Sequence, residues 1–393
     1  MLRRFICFIA LMLPAAVASA HHGFGSFEVN KTVSFNGARL TRIELVNPHS
    51  WLYFEWADAS GKVQKYRCEM RSSHVLRRSG WTTDLFPANS KVNITASPDR
   101  EDPNSCYLQT IEFENGSRMD RYGQYVKAPD GKVKEVVGAI TAGEKNRPAR
   151  RPTGEPNISG DWAPEQVVMA DPRGTGGGLI PLSQVEQARQ KGETAANARG
   201  GGAGRGRGAG TGPRLYGGSE LTERGTQEAE KFTQKDNPRF QCQTTSILFD
   251  WTFDGPVNRI TQNRDTIVVQ YGQLGLRRTI FMNMKEHPKT VKPSRAGHSI
   301  GRWEGDTLVV DTVGFLPGVL NAPVRHSDQL HVVERFTLDP KTLQLRRTYE
   351  AKDPVYLKGT YSGQDMIQPA DAPYAPGDCK EQQFINYSKQ GQK

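Results

Sequence analysis

Two runs with period-two alternation, Gly297 to Phe315 and His326 to Glu350, constrain the fold most, because each sets ionisable groups among apolar ones on one strand face. In the second run Leu338 and Leu343 flank Asp339-Pro340-Lys341-Thr342, a four-residue loop with Pro at the second position of a type I turn. That turn predicts the antiparallel pairs Leu338 with Leu343, Phe336 with Leu345, Glu334 with Arg347 and Val332 with Tyr349, all on one face. An acid and a base thus fall inside an apolar stripe, while Arg335, Arg346, His331 and Glu350 fall on the solvated side. A carboxylate taken out of water needs a partner. Arg347 is the expected one, and the pair reads either as a structural ion pair or as a ligand anchor inside a barrel.

In the first run the turn lies within Arg302-Trp303-Glu304-Gly305-Asp306-Thr307. A turn on Glu304-Gly305 sets His298 opposite Asp311, the orienting half of many acid–base sites. His298, Asp311, His326 and Asp328 are therefore the candidate acid and base of a hydrolase or lyase, a reading that requires them to converge. GxxxxGK[ST], GxGxxG and HExxH do not occur. His326 and His331 differ by an odd number, so one continuous strand would aim them at opposite faces.

At the start of the chain, Arg3-Arg4, an apolar run from Phe5 to Val17 and Ala18-Ser19-Ala20 form a secretory leader with cleavage after Ala20. The expected compartment is periplasmic or extracellular, and no later run approaches the roughly 18 apolar residues of a membrane span. Cys7 leaves with the leader, so Cys68, Cys106, Cys242 and Cys379 remain, an even count in an oxidising compartment. Three pairings exist. Pairing within domains gives Cys68 with Cys106 and Cys242 with Cys379, and the absence of Cys-x-x-Cys argues against a zinc ribbon, a thioredoxin-like site or c-type haem.

The length suggests two domains, here 21–125 and 157–393 joined by a polar linker at 126–156. In the first, Val33 to Val46, Trp51 to Ala57 and Val63 to Glu69 read as strands, His74 to Ser79 as a short helix behind Ser72-Ser73, and Val92 to Ala96 and Cys106 to Glu114 as two further strands. Three strands, a helix and two strands is the order of an OB-like small barrel, with Trp51, Tyr53 and Trp56 available either for a binding face or for core packing.

His21-His22-Gly23-Phe24-Gly25-Ser26-Phe27, Asn47-Pro48-His49-Ser50-Trp51 and Arg77-Arg78-Ser79-Gly80-Trp81 resemble the bacterial secreted family known as domain of unknown function 6152. Gly23 stands where that family commonly has Ser, and Arg71-Ser72-Ser73-His74 where it has Gly-Ser-Pro-Asn. The resemblance implies compartment and domain identity, and no activity. The stretch from Gly297 to Thr312 resembles a recurrent segment of uncharacterised secreted, β-rich proteins of soil bacteria.

Ile158-Ser159-Gly160-Asp161-Trp162 opens the second domain, and its Gly-x-Trp is similar to the lipocalin opening, in which the Trp closes one end of an antiparallel barrel. Leu182 to Gln190 and Leu221 to Thr233 read as helices around a Gly/Arg-rich low-complexity insertion at 192–218, and Thr245 to Phe253, Thr266 to Tyr271 and Arg277 to Met284 as strands. A lipocalin-like barrel or a sandwich fits this spacing. The net charge is +10, yet the Arg-Gly run reads as a solvated insertion, so no nucleic-acid partner is expected.

These readings favour a small-molecule-binding or accessory protein with its ligand near Glu334 and Arg347. A third expectation concerns copper. Cleavage after Ala20 frees the His21 amine, whose pKa of about 8 lets a metal displace its proton. Its imidazole and a second one from His22, His49 or His74 would complete a three-nitrogen planar set suited to Cu(II), similar to the histidine brace of secreted copper oxygenases. Oligomeric state is not legible.

Overall fold

The computed structural model describes residues 26–121, 125–127, 146–169, 179–184, 187, 215–381 and 387–392. The expected leader at 1–20, His21 and His22, and residues 192–214 of the expected insertion lie outside the described residues. Among those described, no helix is long and apolar enough to cross a membrane.

The first five strands close on themselves. They are β1 (Val33–Glu44), β2 (Trp51–Ala57), β3 (Val63–Glu69), β4 (Lys91–Pro98) and β5 (Ser105–Phe113), with helix α1 (Ser73–Arg78) between β3 and β4. β1 pairs antiparallel with β2 and β4, and a parallel β3–β5 pairing completes the OB order. Alternation fills the interior with Leu40, Leu52, Phe54, Ile94, Leu108 and Ile111. Cys68 and Cys106 lie directly opposite each other on β3 and β5 and form the expected disulfide, Cα to Cα 4.4 Å. β6 (Arg118–Asp120) and β7 (Tyr125–Lys127) extend this sheet beyond β5.

The rest of the chain builds a larger barrel. Its elements are β8 (Gly160–Ala163), the side pair β9 (Val167–Met169) and β10 (Leu179–Pro181), α2 (Glu223–Lys231), β11 (Asn258–Gln262), β12 (Thr266–Gln270), β13 (Arg277–Phe281), β14 (His298–Glu304), β15 (Thr307–Val313), the side hairpin β16 (Gly318–Asn321) and β17 (Val324–His326), then β18 (His331–Leu338), β19 (Leu345–Lys352) and β20 (Tyr361–Pro369). Nine strands close in the order β8-β11-β12-β13-β14-β15-β18-β19-β20, antiparallel except for β13 with β14. Trp162 is fully buried, donates Nε1–H to the Ile158 carbonyl at 2.9 Å and carries the Arg147 guanidinium 4.0 Å over its ring. The second disulfide joins Cys242 to Cys379, tying the end of the barrel chain to the segment before β11.

Two expectations are corrected. The β18–β19 pairing sets Glu334 opposite Tyr349, Phe336 opposite Arg347 and Leu338 opposite Leu345, two residues from the expected register. The loop is longer than a four-residue turn because Leu343 adopts a left-handed conformation (φ +58°) and Asp339 N donates to the Gln344 carbonyl at 2.9 Å. A shift of two preserves the face. Glu334 and Arg347 remain side by side, as diagonal neighbours.

Residues 245–253, expected as a strand, form consecutive turns that enter the large barrel's core. Their apolar run reflects burial of Ile247, Leu248 and Trp251 all round, with no strand partner. Asp250 goes in with them: Thr245 N donates to its Oδ2 at 2.8 Å, Oδ1 has no hydrogen-bond partner, and burial pushes its carboxyl up to about 7. Because the folded-state value is raised, this group's contribution to stability is complete below the unfolded value of about 3.9 and declines as pH rises towards 7. We therefore expect Asp250→Asn, which keeps the acceptor and removes the charge, to raise stability at pH 8 and to flatten its fall between pH 4 and 7, read by urea unfolding across pH.

Candidate functional site

The structure gathers the expected residues in three places. Glu334 and Arg347 lie deep in the large barrel, both with no exposed side-chain surface. Arg347 donates Nη1–H to Glu334 Oε1 at 3.1 Å, Nη2–H and Nε–H to Asp365 at 2.5 and 3.2 Å, and its remaining N–H groups to the Ile247 and Leu248 carbonyls at 3.1 and 2.9 Å. Glu334 Oε2 lies 2.5 Å from Arg278 Nη1, and Arg278 also donates to Ser299 Oγ and Thr312 Oγ1 at 2.8 and 2.7 Å. All five Arg347 donors have protein acceptors, and two cations face two carboxylates. This arrangement is an internal brace for the barrel.

His298 and Asp311 occupy the outer face, with a register again two from the expected one. His298 pairs with Val313 and Asp311 with Ile300, because the turn uses Gly305-Asp306, with Gly305 at φ +59°. The two side chains meet through a residue the sequence reading did not single out, His287, on the connection 282–297. His287 Nδ1 is 2.9 Å from His298 Nδ1, and its Nε2 is 3.1 Å from Asp311 Oδ1. The same Asp311 oxygen lies 2.8 Å from His331 Nε2. The His331 contact, with burial opposing and His287 assisting, holds the Asp311 carboxyl below its ordinary range, and Asp311 in turn raises His331. Burial, reinforced by His287, depresses His298. His326 does not join: it is buried in β17 with Nδ1 3.1 Å from the Ser327 carbonyl, and Asp328 is exposed in the following turn.

The third place is the outer face of β1, β2 and β3. Cross-strand pairing lines up Arg42, Tyr53 and Arg67 in one row and Glu44, Trp51 and Glu69 in the next. The Arg42 guanidinium sits 3.6 Å over the Tyr53 ring, and that of Arg67 4.4 Å from Trp51 and 5.0 Å from Tyr387. Glu44 accepts from Tyr53 Oη at 3.2 Å and from Lys380 Nζ at 3.1 Å. These residues except Glu69, with Val46, Pro48, His49 and Glu381, line a cleft of about 160 Å³.

Lys380 and Tyr387 reach the small barrel from the far end of the chain. Asn47 N donates to the Asp378 carbonyl at 2.9 Å and Lys380 N to the Asn47 carbonyl at 3.0 Å, while Asp102 accepts from the backbone N–H groups of Tyr387 and Ser388. His49 Nδ1 is 2.9 Å from Glu69 Oε1 and its ring packs edge-on against Phe240. His74 is buried, its Nε2 accepts from Asn47 Nδ2 at 3.1 Å, and burial lowers it to about 4, so it faces the fold as a neutral imidazole. Trp56 points away from the cleft and packs edge-on against Phe35 and Tyr66.

The row residues were legible as alternation, Arg42-x-Glu44, Trp51-x-Tyr53 and Arg67-x-Glu69, once strand pairing is known. Lys380 and Tyr387 had no local signal. The molecule is thus a protein of two closed β-barrels, the smaller of OB order with a cationic–aromatic cleft walled by the chain's end. Residues 10–106 match a family of unknown function, DUF6152, which bears out the N-terminal resemblance and includes every row residue; the large barrel lies outside that match. No curated protein and no solved structure matches the chain.

Buried charges also clasp the two barrels. Arg78 of α1 takes Asp371 with Nε and Nη2 at 2.7 and 3.0 Å and donates to the carbonyls of Gly255 and Pro164 at 3.0 and 2.9 Å. Removing it strands a buried carboxylate, so Arg78→Ala should cost about 3–5 kcal/mol. Calorimetry is expected to show a lower first transition than in the unaltered protein.

Proposed function

We propose that the protein works in an oxidising compartment outside the cytoplasm as a small-molecule-binding protein, and that its ligand is a small planar anion seated in the cleft on β1–β3. The observation that carries this reading is the Arg67 guanidinium at the cleft wall, 4.4 Å from the Trp51 ring and 5.0 Å from that of Tyr387, with Nε–H donated to Ser105 Oγ at 3.0 Å. A guanidinium oriented by flat neighbours suits a carboxylate, and the rings suit a planar body. Arg42 and Lys380 also line the cleft, both paired with Glu44, which accepts from Tyr53 as well, so two cations there face one carboxylate. The size matches a ligand of one ring. The leader at residues 1–20 and the two disulfides support the compartment.

The hydrolase or lyase reading has support from one contact group, in which His298 and Asp311 are linked through His287. His326 and Asp328 stand apart from it, so the binding reading takes precedence.

The test is fluorescence titration of the processed protein with benzoate and, beside it, neutral benzamide. Saturable quenching by benzoate, weaker binding of benzamide, loss of the signal in Trp51→Phe and an affinity at least about tenfold lower in Arg67→Ala are expected, since a charge-assisted hydrogen bond contributes about 1.5–3 kcal/mol. Equal binding by Arg67→Ala and the unaltered protein would overturn the reading.

A further inference from the structure

Strand pairing on the large barrel lays out a second polar surface, which shares no residue with the cleft. Arg335 of β18 pairs with Thr348 of β19, and Thr348 with Gln364 of β20, so the three form one cross-strand row. Glu350 and Ser362, themselves a pair, begin the next row on the same face. That face is the outer one, because Glu334, Arg347 and Asp365, each one residue away from a member of the first row, meet inside the barrel.

These five side chains, with Tyr349 and Gly363, line a depression of about 310 Å³, a volume at the lower end of small-molecule sites. Its shape follows from side-chain length. Arg335, Glu350 and Gln364 are long, whereas Thr348 and Ser362 are short, so the hollow lies over the two hydroxyls. Among the described residues none of the five side chains makes a hydrogen bond or an ion pair within the protein. Arg335 and Glu350 are diagonal neighbours of opposite charge, within reach of each other, yet they do not pair. Elsewhere on the same face polar groups do engage, Asp311 with His331 and Thr307 with Thr337.

The depression therefore presents a guanidinium, a carboxylate, a carboxamide and two hydroxyls whose donors and acceptors have no protein partner. One positive and one negative charge cancel, which favours a ligand without net charge. Hydroxyls and a carboxamide both donate and accept, and they match a ligand whose own groups do both, as sugar hydroxyls do. Two strand spacings make the row from Arg335 to Gln364 about 9.5 Å long, closer to the length of two linked sugar rings than of one.

We propose that the depression on β18, β19 and β20 binds an uncharged oligosaccharide segment the length of a disaccharide. Arg335, Thr348 and Gln364 bond to hydroxyls along one edge of the sugar, and Glu350 and Ser362 to those along the other.

The experiment is saturation-transfer NMR of the full processed chain with cellobiose and, in parallel, with glycine, a zwitterion that Arg335 and Glu350 alone could hold. Saturable transfer to cellobiose and none to glycine is expected. Arg335→Ala should weaken cellobiose binding at least about tenfold and Thr348→Val about two- to tenfold, the ranges for a charge-assisted and for a neutral hydrogen bond. Arg335 is exposed and Val suits a strand as well as Thr does, so both variants are expected to fold, and circular dichroism of each is compared. Lys341→Ala, in the turn between β18 and β19 and outside the depression, should bind as the unaltered protein does. No transfer to cellobiose, transfer to glycine in its place, equal affinity in Arg335→Ala and Thr348→Val, or an equal loss in Lys341→Ala would each overturn the proposal.

Discussion

Glu334 is the constraint on which the large barrel depends. A carboxylate with no exposed surface stands in a region of low polarisability, where its charge is unfavourable by several kcal/mol unless opposed. Two arginines oppose it, Arg278 from β13 and Arg347 from β19, and Asp365 from β20 restores neutrality. Burial still raises the Asp365 carboxyl above its ordinary range in spite of Arg347 beside it. Because Arg347 also donates to the Ile247 and Leu248 carbonyls, the same group anchors the turns at 245–253 inside the barrel. Strand closure and internal filling are therefore one interaction. A purely apolar interior would pack these elements, but it would not specify where the 245–253 carbonyls must stop.

That dependence explains what the sequence shows and what it hides. Period-two alternation tells which side chains share a face, and it told this correctly for Glu334 with Arg347 and for His298 with Asp311. Turn length decides which residues are opposite, and it depends on single backbone conformations such as the left-handed Leu343, for which leucine is not a signal. An error of two residues leaves the face intact. An error of one would have inverted it, and alternation forbids that error wherever one face is buried. The disulfides were legible for a related reason, since Cys68 and Cys106 lie on the two strands that an OB order must bring together.

The turns at 245–253 were misread because a short apolar run looks alike in a strand and in a segment surrounded by core. His287 was missed because it lies on a connection with no strand alternation, and its partners His298 and Asp311 arrive from two strands, β14 and β15. The cleft has the same character. Its floor is alternation on β1, β2 and β3, whereas Lys380 and Tyr387 come from beyond the last barrel strand.

The path of the chain's end links the two barrels' stabilities to the cleft. Cys379 is joined to Cys242 and, one residue on, Lys380 bonds to Asn47 and Glu44 of the small barrel. A segment fixed at Cys379 has little freedom to leave, so Lys380 is delivered to Glu44 at small further loss of chain entropy. In isolation the exposed Lys380–Glu44 pair would add little, because screening and side-chain entropy offset most of the attraction between solvated charges. Here the backbone bonds at Asn47 and the clasp of Arg78 on Asp371 have already ordered both sides. The cleft's shape thus follows from the large barrel holding the chain's end in place, and a ligand bound there reads the packing of both barrels at once.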